Sequence, residues 1–188
     1  GVISVVAIAA ALVGWWPSPA KSISRVAVLA GRISAFDSAG DLAWTFEHPD
    51  GFTFESDEVP MRILRRPSED LILILTRSRV PGAEGPPLKA ELMAFTMNGQ
   101  LRWRTSPSDF YQFGRDVSAD SWVPSSLFTH DMSVGARIAW AVHDHKWWPS
   151  ALFLADERGK VEGPFVNSGW INNTTLVRHP EGELLLAG

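Results

Sequence analysis

One hairpin pattern recurs along the chain and constrains its fold more than any other feature. ISAFDSAGDLAWTF occupies residues 33–46, LMAFTMNGQLRWRT residues 92–105 and LFLADERGKVEGPF residues 152–165. The turn glycines are Gly40, Gly99 and Gly159, spaced by 59 and 60 residues. Each copy reads as strand, tight turn, strand. Glycine supplies the positive φ of such a turn, and Asp37, Asn98 or Asp156 is placed to hydrogen-bond the turn backbone. Trp44 and Trp103 both stand four residues after their glycine, as anchors for packing between repeats. The third copy carries Gly163 there, so its packing must differ.

A further strand is expected before each hairpin, over residues 25–29, 71–76 and 137–142. The latter two follow apolar stretches at 59–64 and 125–130. A fourth cycle begins at 170–177 and 183–187 and reaches Gly188 without its hairpin. No segment after Ser24 keeps a helical period for three turns, so the chain reads as mainly β. Four strands per unit, repeated at a fixed period, is the plan of a β-propeller blade, and the alternative is a β-sandwich. About three and a half units are present, which points to a partial array from a truncated chain with unpaired edges open to a partner strand.

Before the repeats, residues 2–16 form an apolar run broken only by Ser4 and Gly14 and stopped by Pro17 and Pro19. Fifteen helical residues reach about 22 Å, short of a bilayer core of roughly 30 Å, and continuation upstream would let the run span it. Trp15 and Trp16 sit where an interfacial aromatic belt belongs. The small residues Ala7, Ala9, Ala10, Ala11 and Gly14 allow close approach of another helix. The expected organisation is a transmembrane anchor helix over 1–16, a linker over 17–24 and a β-propeller-like domain over 25–188. A signal peptide ending near Ser18-Pro19-Ala20 and a buried core helix are the competing explanations. Lys21 and Arg25 close behind the anchor slightly favour a cytoplasmic domain by charge alone.

Composition narrows the function classes. The chain has 188 residues, 45% hydrophobic and 20% charged, with a net charge of -4. That composition excludes a disordered chain and a nucleic-acid binder that relies on bulk positive charge. Cysteine is absent, which removes disulfides, thiolate chemistry and cysteine metal sites. No GxSxG elbow and no phosphate-binding glycine loop occurs.

His143-Asp144-His145 is the most suggestive polar cluster, because alternating histidines can chelate a metal from one side of a strand end. His143 and His145 alone make an incomplete ligand set, with His130 and Asp131 as the residues that could complete it; the plainer explanation is a polar loop. Asp37, Gly40 and Asp41 fit turn chemistry better than a calcium loop, and Glu55, Asp57 and Glu58 fit a solvated loop better than an acid pair. Two aromatic clusters are expected in loops, around Tyr111 and Phe113 and around Trp147 and Trp148. Aromatics there either cap the core or anchor a partner. The partner-contact candidates are therefore Tyr111, Phe113, Trp147 and Trp148, with Val2, Val6, Ala10, Val13, Trp15 and Trp16 on the anchor.

The hairpin pattern I-x-A-F-D-x-x-G-x-L-x-W at residues 33–44 resembles the quinoprotein-alcohol-dehydrogenase-like repeats of β-propellers. A longer likeness runs through the anchor, the WPSPA linker, the first hairpin, HDHKWWPSALFLADERGKV, FVNSGWINN and LLLAG. That order is similar to a poorly characterised group of bacterial membrane-anchored propeller-like domains. The resemblance implies a single-pass protein of the cytoplasmic membrane with its β domain in the periplasm, and members that continue beyond such an end point. It does not carry quinone catalysis over, because those enzymes need adjacent cysteines and a full ring around a calcium-bound cofactor. No catalytic residue and no cofactor are expected. The expected function is a non-catalytic accessory or scaffold subunit contacting integral membrane subunits and the bilayer, in a photosynthetic or respiratory assembly, without nucleic acid or a small-molecule substrate. The alternative is the extracytoplasmic sensor domain of a signalling protein.

Overall fold

The computed structural model describes residues 22–55, 59–79, 88–107, 111–113, 116–118, 122–133, 135–144 and 149–188. The expected anchor over 1–16, with Val2, Val6, Ala10, Val13, Trp15 and Trp16, lies outside the described residues, as do His145, Trp147 and Trp148. No helix among the described residues is long and apolar enough to cross a membrane.

The described chain is all strand, turn and loop. Sheet 1 has β1 (Ile23–Leu29), β2 (Arg32–Asp37) and β3 (Leu42–Phe46) in that order. Sheet 2 contains β4 (Thr53–Glu55), β5 (Met61–Leu64), β6 (Leu71–Arg79), β7 (Leu88–Thr96) and β8 (Leu101–Thr105). Here β4 and β5 pair with opposite ends of β6. A two-stranded insert joins β9 (Tyr111–Phe113) to β10 (Asp116–Ser118). Sheet 3 orders β11 (Trp122–Met132), β12 (Gly135–Asp144), β13 (Ser150–Asp156) and β14 (Val161–Asn167). Sheet 4 pairs β15 (Thr174–His179) with β16 (Gly182–Ala187). Every pairing is antiparallel, as tight turns between neighbours require.

The sheets stack in chain order, and the alternation of side chains along each strand decides which face meets which neighbour. On β6, Ile72 and Ile74 join Ile23, Val26, Ile33 and Ala35 of sheet 1 in one core cluster. Leu71, Leu73 and Leu75 join Leu127, Ile138, Trp140 and Phe153 of sheet 3 in another. Both faces of β6 are therefore covered, which explains its unbroken LILIL run. The opposite face of sheet 3, with Ala139, Ala141 and Leu152, meets Ile171 and Leu185 beside and within sheet 4. A two-sheet sandwich would bury one face of each sheet; here the two middle sheets bury both.

Several sequence expectations change. The first described strand starts at Ile23, two residues before the strand expected from residue 25, because Ile23 pairs with Asp37 across a bulge and Ser24 Oγ donates to the Asp37 carbonyl at 2.7 Å. Tyr111 and Phe113 lie in a short strand rather than a loop, held by pairing to β10. Trp122, at the start of β11, is buried. In the second hairpin Thr96 rather than Asn98 bonds the turn backbone: Thr96 Oγ1 accepts from Gln100 N at 3.1 Å and donates to Asn98 Oδ1. Thr96 stands at the position where Asp37 accepts from Ala39 and Asp41, and Asp156 from Arg158 and Lys160.

Candidate functional site

The joint between successive sheets is the most regular construction in the molecule. Trp44 lies against the second hairpin turn, where its Nε1 donates to the Met97 carbonyl at 3.2 Å. Trp103 repeats the arrangement on the third turn, donating to the Glu157 carbonyl at 3.1 Å. A Cβ on Gly99 would fall 2.7 Å from the Trp44 ring, and one on Gly159 would fall 2.6 Å from Trp103. Each glycine thus serves two needs at once, a positive φ (86° and 81°) and the seat of an indole. Trp44 also packs on Phe95, with ring centroids 5.3 Å apart.

At the third joint the indole position is Gly163. A groove of about 380 Å³ opens there, lined by Leu152, Leu154, Gly163, Phe165, Leu185 and Ala187 among others. Phe165 stays 56% exposed beside it. The outward face of sheet 4 is also apolar and open, with Leu184 59% and Leu186 55% exposed.

A second site, absent from the sequence expectations, sits between sheets 1 and 2. His48 follows β3 and is buried, with its ring stacked on Phe52 at 4.7 Å. Its Nδ1 accepts from Asp50 N at 3.2 Å, and its Nε2 lies 3.0 Å from Glu91 Oε2 and 3.2 Å from Arg104 Nη1. Ser78 Oγ donates to the same carboxylate oxygen at 2.7 Å. Arg104 reaches Asp50 at 2.8 Å and stands 3.9 Å from Glu91 Oε1. Asp50, Phe52, Lys89, Glu91 and Arg104 line an adjoining cleft of about 230 Å³. The carboxylate lies between the hydroxyl and the imidazole, so the Ser78 proton points at Glu91 rather than at the His48 ring. These groups satisfy one another's buried polar atoms and clamp the segment after β3 to sheet 2. Only Glu91, two residues from Lys89 on one strand face, hinted at them in sequence. His48 and Ser78 looked like ordinary loop and strand residues.

The expected histidine pair fares differently. His143 ends β12 in a strand, where Nδ1 donates to the Asp144 carbonyl at 2.8 Å and the ring packs on Trp170 at 4.4 Å. His130 lies in β11 and meets Thr174 Oγ1 at 2.7 Å, and burial pushes its pKa below the usual histidine value despite Asp131. Among the described residues no group of three or more His, Cys, Asp or Glu side chains could hold a metal. Glu55 pairs with Arg79, whose hydrogen bond holds the carboxyl below its ordinary value.

No protein-family model, curated protein or solved structure matches the chain.

Proposed function

We propose that the chain is a non-catalytic accessory scaffold whose stacked sheets are consecutive blades of a β-propeller-like array. Residues 1–16 anchor it in the bacterial cytoplasmic membrane, with the β domain in the periplasm against integral membrane subunits. The observation that carries this reading is the contrast between joints. Two are closed by a tryptophan on a glycine, while the third and the outer face of sheet 4 leave large apolar side chains uncovered. Apolar surface of that kind marks interaction sites on proteins. Detergent extraction of native membranes followed by affinity capture and size-exclusion chromatography tests the proposal. Co-migration with integral membrane subunits is expected; a chain found only in the soluble fraction, or only as a monomer, overturns it.

The polar cleft of Asp50, Lys89, Glu91 and Arg104 supports a second reading, an extracytoplasmic sensor that binds a small charged ligand between sheets 1 and 2. A metabolite that raises the melting temperature of the wild type, and not of Arg104→Ala, would favour it.

A further inference from the structure

The cleft between sheets 1 and 2 opens where one face of β7 changes character. Lys89, Glu91, Met93 and Phe95 alternate along the strand and so share the face turned to sheet 1. Met93 and Phe95 belong to the buried cluster with Ile23, Ile33 and Phe54, while Lys89 and Glu91 line the cleft beyond it. Residues two apart on a strand stand about 7 Å apart. The strand thus sets a cation and an anion side by side where the core ends.

The charges of the cleft are unequally matched. Asp50 and Arg104 meet at 2.8 Å and neutralise one another. Glu91 is only 6% exposed. Its Oε2 receives the Ser78 hydroxyl at 2.7 Å and lies 3.0 Å from His48 Nε2. Its Oε1 has no hydrogen-bond donor among the described residues, because Arg104 Nη1 stands 3.9 Å away, beyond hydrogen-bond range. A buried carboxylate oxygen left without a donor is costly. Lys89 is exposed and makes no ion pair among the described residues; its ammonium stands 5.9 Å from the Phe52 ring centroid. The cleft therefore offers one deep anionic acceptor and one cation at its mouth, neither of them matched.

We propose that this cleft binds a free α-amino acid with a short side chain. The ligand ammonium donates to Glu91 Oε1, and its further donors reach the hydroxyls of Thr105 and Ser106 on the cleft wall. The ligand carboxylate pairs with Lys89, whose flexible stem lets the ammonium close over it. A zwitterion satisfies both unmatched groups and adds no net charge, whereas an amine or an acid alone leaves one of them uncompensated. The volume of about 230 Å³ sets the size limit, since at about 30 Å³ per water it equals roughly seven waters. His48, stacked on Phe52, and Ser78 position Glu91 rather than touch the ligand. The inference deepens the sensor reading of the cleft and rests on it; the scaffold reading is independent of it.

The test is isothermal titration of the full chain with glycine, L-alanine, L-serine and L-threonine. At least one is expected to bind with a Kd below about 1 mM. Its N-acetyl and its carboxamide derivatives each lose one charge and should bind about tenfold more weakly or worse. Lys89→Ala should weaken the parent by a similar factor and abolish its advantage over the carboxamide. Glu91→Gln should abolish its advantage over the N-acetyl derivative; if that variant fails to fold, Lys89→Ala and the two derivatives decide. No binding by any of the four amino acids up to about 10 mM overturns the proposal. So does equal binding of either derivative, or unchanged binding by Lys89→Ala. If the amino acids fail while another charged metabolite stabilises the wild type and not Arg104→Ala, the sensor reading stands and only the ligand class falls.

Discussion

Gly99 and Gly159 separate two effects that a turn glycine usually combines. Gly40 has a φ of 88° but open space around a Cβ, so Gly40→Ala should cost only the left-handed backbone penalty, about 1 kcal/mol. Gly99→Ala and Gly159→Ala add a clash with an indole under 3 Å away, which raises the expected cost to about 2–3 kcal/mol. Urea unfolding of the three variants checks the order, and equal costs would mean that the tryptophans yield freely. Glu91 makes a second residue-scale case. Its buried carboxylate receives both His48 and Ser78, so Glu91→Ala strands two polar groups at once. A loss of about 3 kcal/mol is expected from breaking such a buried pair, against a far smaller loss for Asp50→Ala at the exposed rim.

At the scale of elements, sheet 4 is held to sheet 3 partly by groups that titrate. Glu183 of β16 accepts from Ser133 N at 2.6 Å and Ser133 Oγ at 2.8 Å, beside Arg178, and these bonds hold its carboxyl below the ordinary value. Its contribution is present above the unfolded-state value and is lost as pH falls through the lower folded-state value. His130, bonded to Thr174, has a folded pKa below its unfolded value. The unfolded chain then binds the extra proton first, so stability begins to fall as pH drops through the ordinary histidine range. Amide exchange in β15 and β16 should therefore accelerate in two stages on acidification, with the histidine stage removed in His130→Gln; a single stage in the wild type would contradict this. The hairpins were legible in the sequence because their turns need glycine and their strands alternate. The tryptophan joints were legible as positions but not as partners, because which turn receives an indole is set by stacking 53 or 54 residues away. The His48–Glu91–Ser78 clamp was not legible, because its members lie on three separate elements with no shared spacing.

For the whole molecule, the order of the sheets sets a gradient of protection. Sheets 2 and 3 are covered on both faces, and the central residues of β6 and β12 are fully buried. Sheets 1 and 4 are each joined to a single core cluster and carry exposed Leu29, Leu42, Leu184 and Leu186 on their remaining surface. Local opening frees whichever unit loses the least buried area, so the outer sheets should open first and the inner pair last. Quasi-linear stacks behave this way because each unit is stabilised mainly by its neighbours. Sheet 4 has two strands and an underfilled joint, while sheet 1 has three strands and a joint closed by Trp44 on Gly99. Native-state hydrogen exchange should therefore rank sheet 4 as the least protected, then sheet 1, then β6 and β12 as the slowest. Equal protection of sheets 2 and 4 in the free chain would show that the stack opens as one cooperative unit and would overturn the gradient.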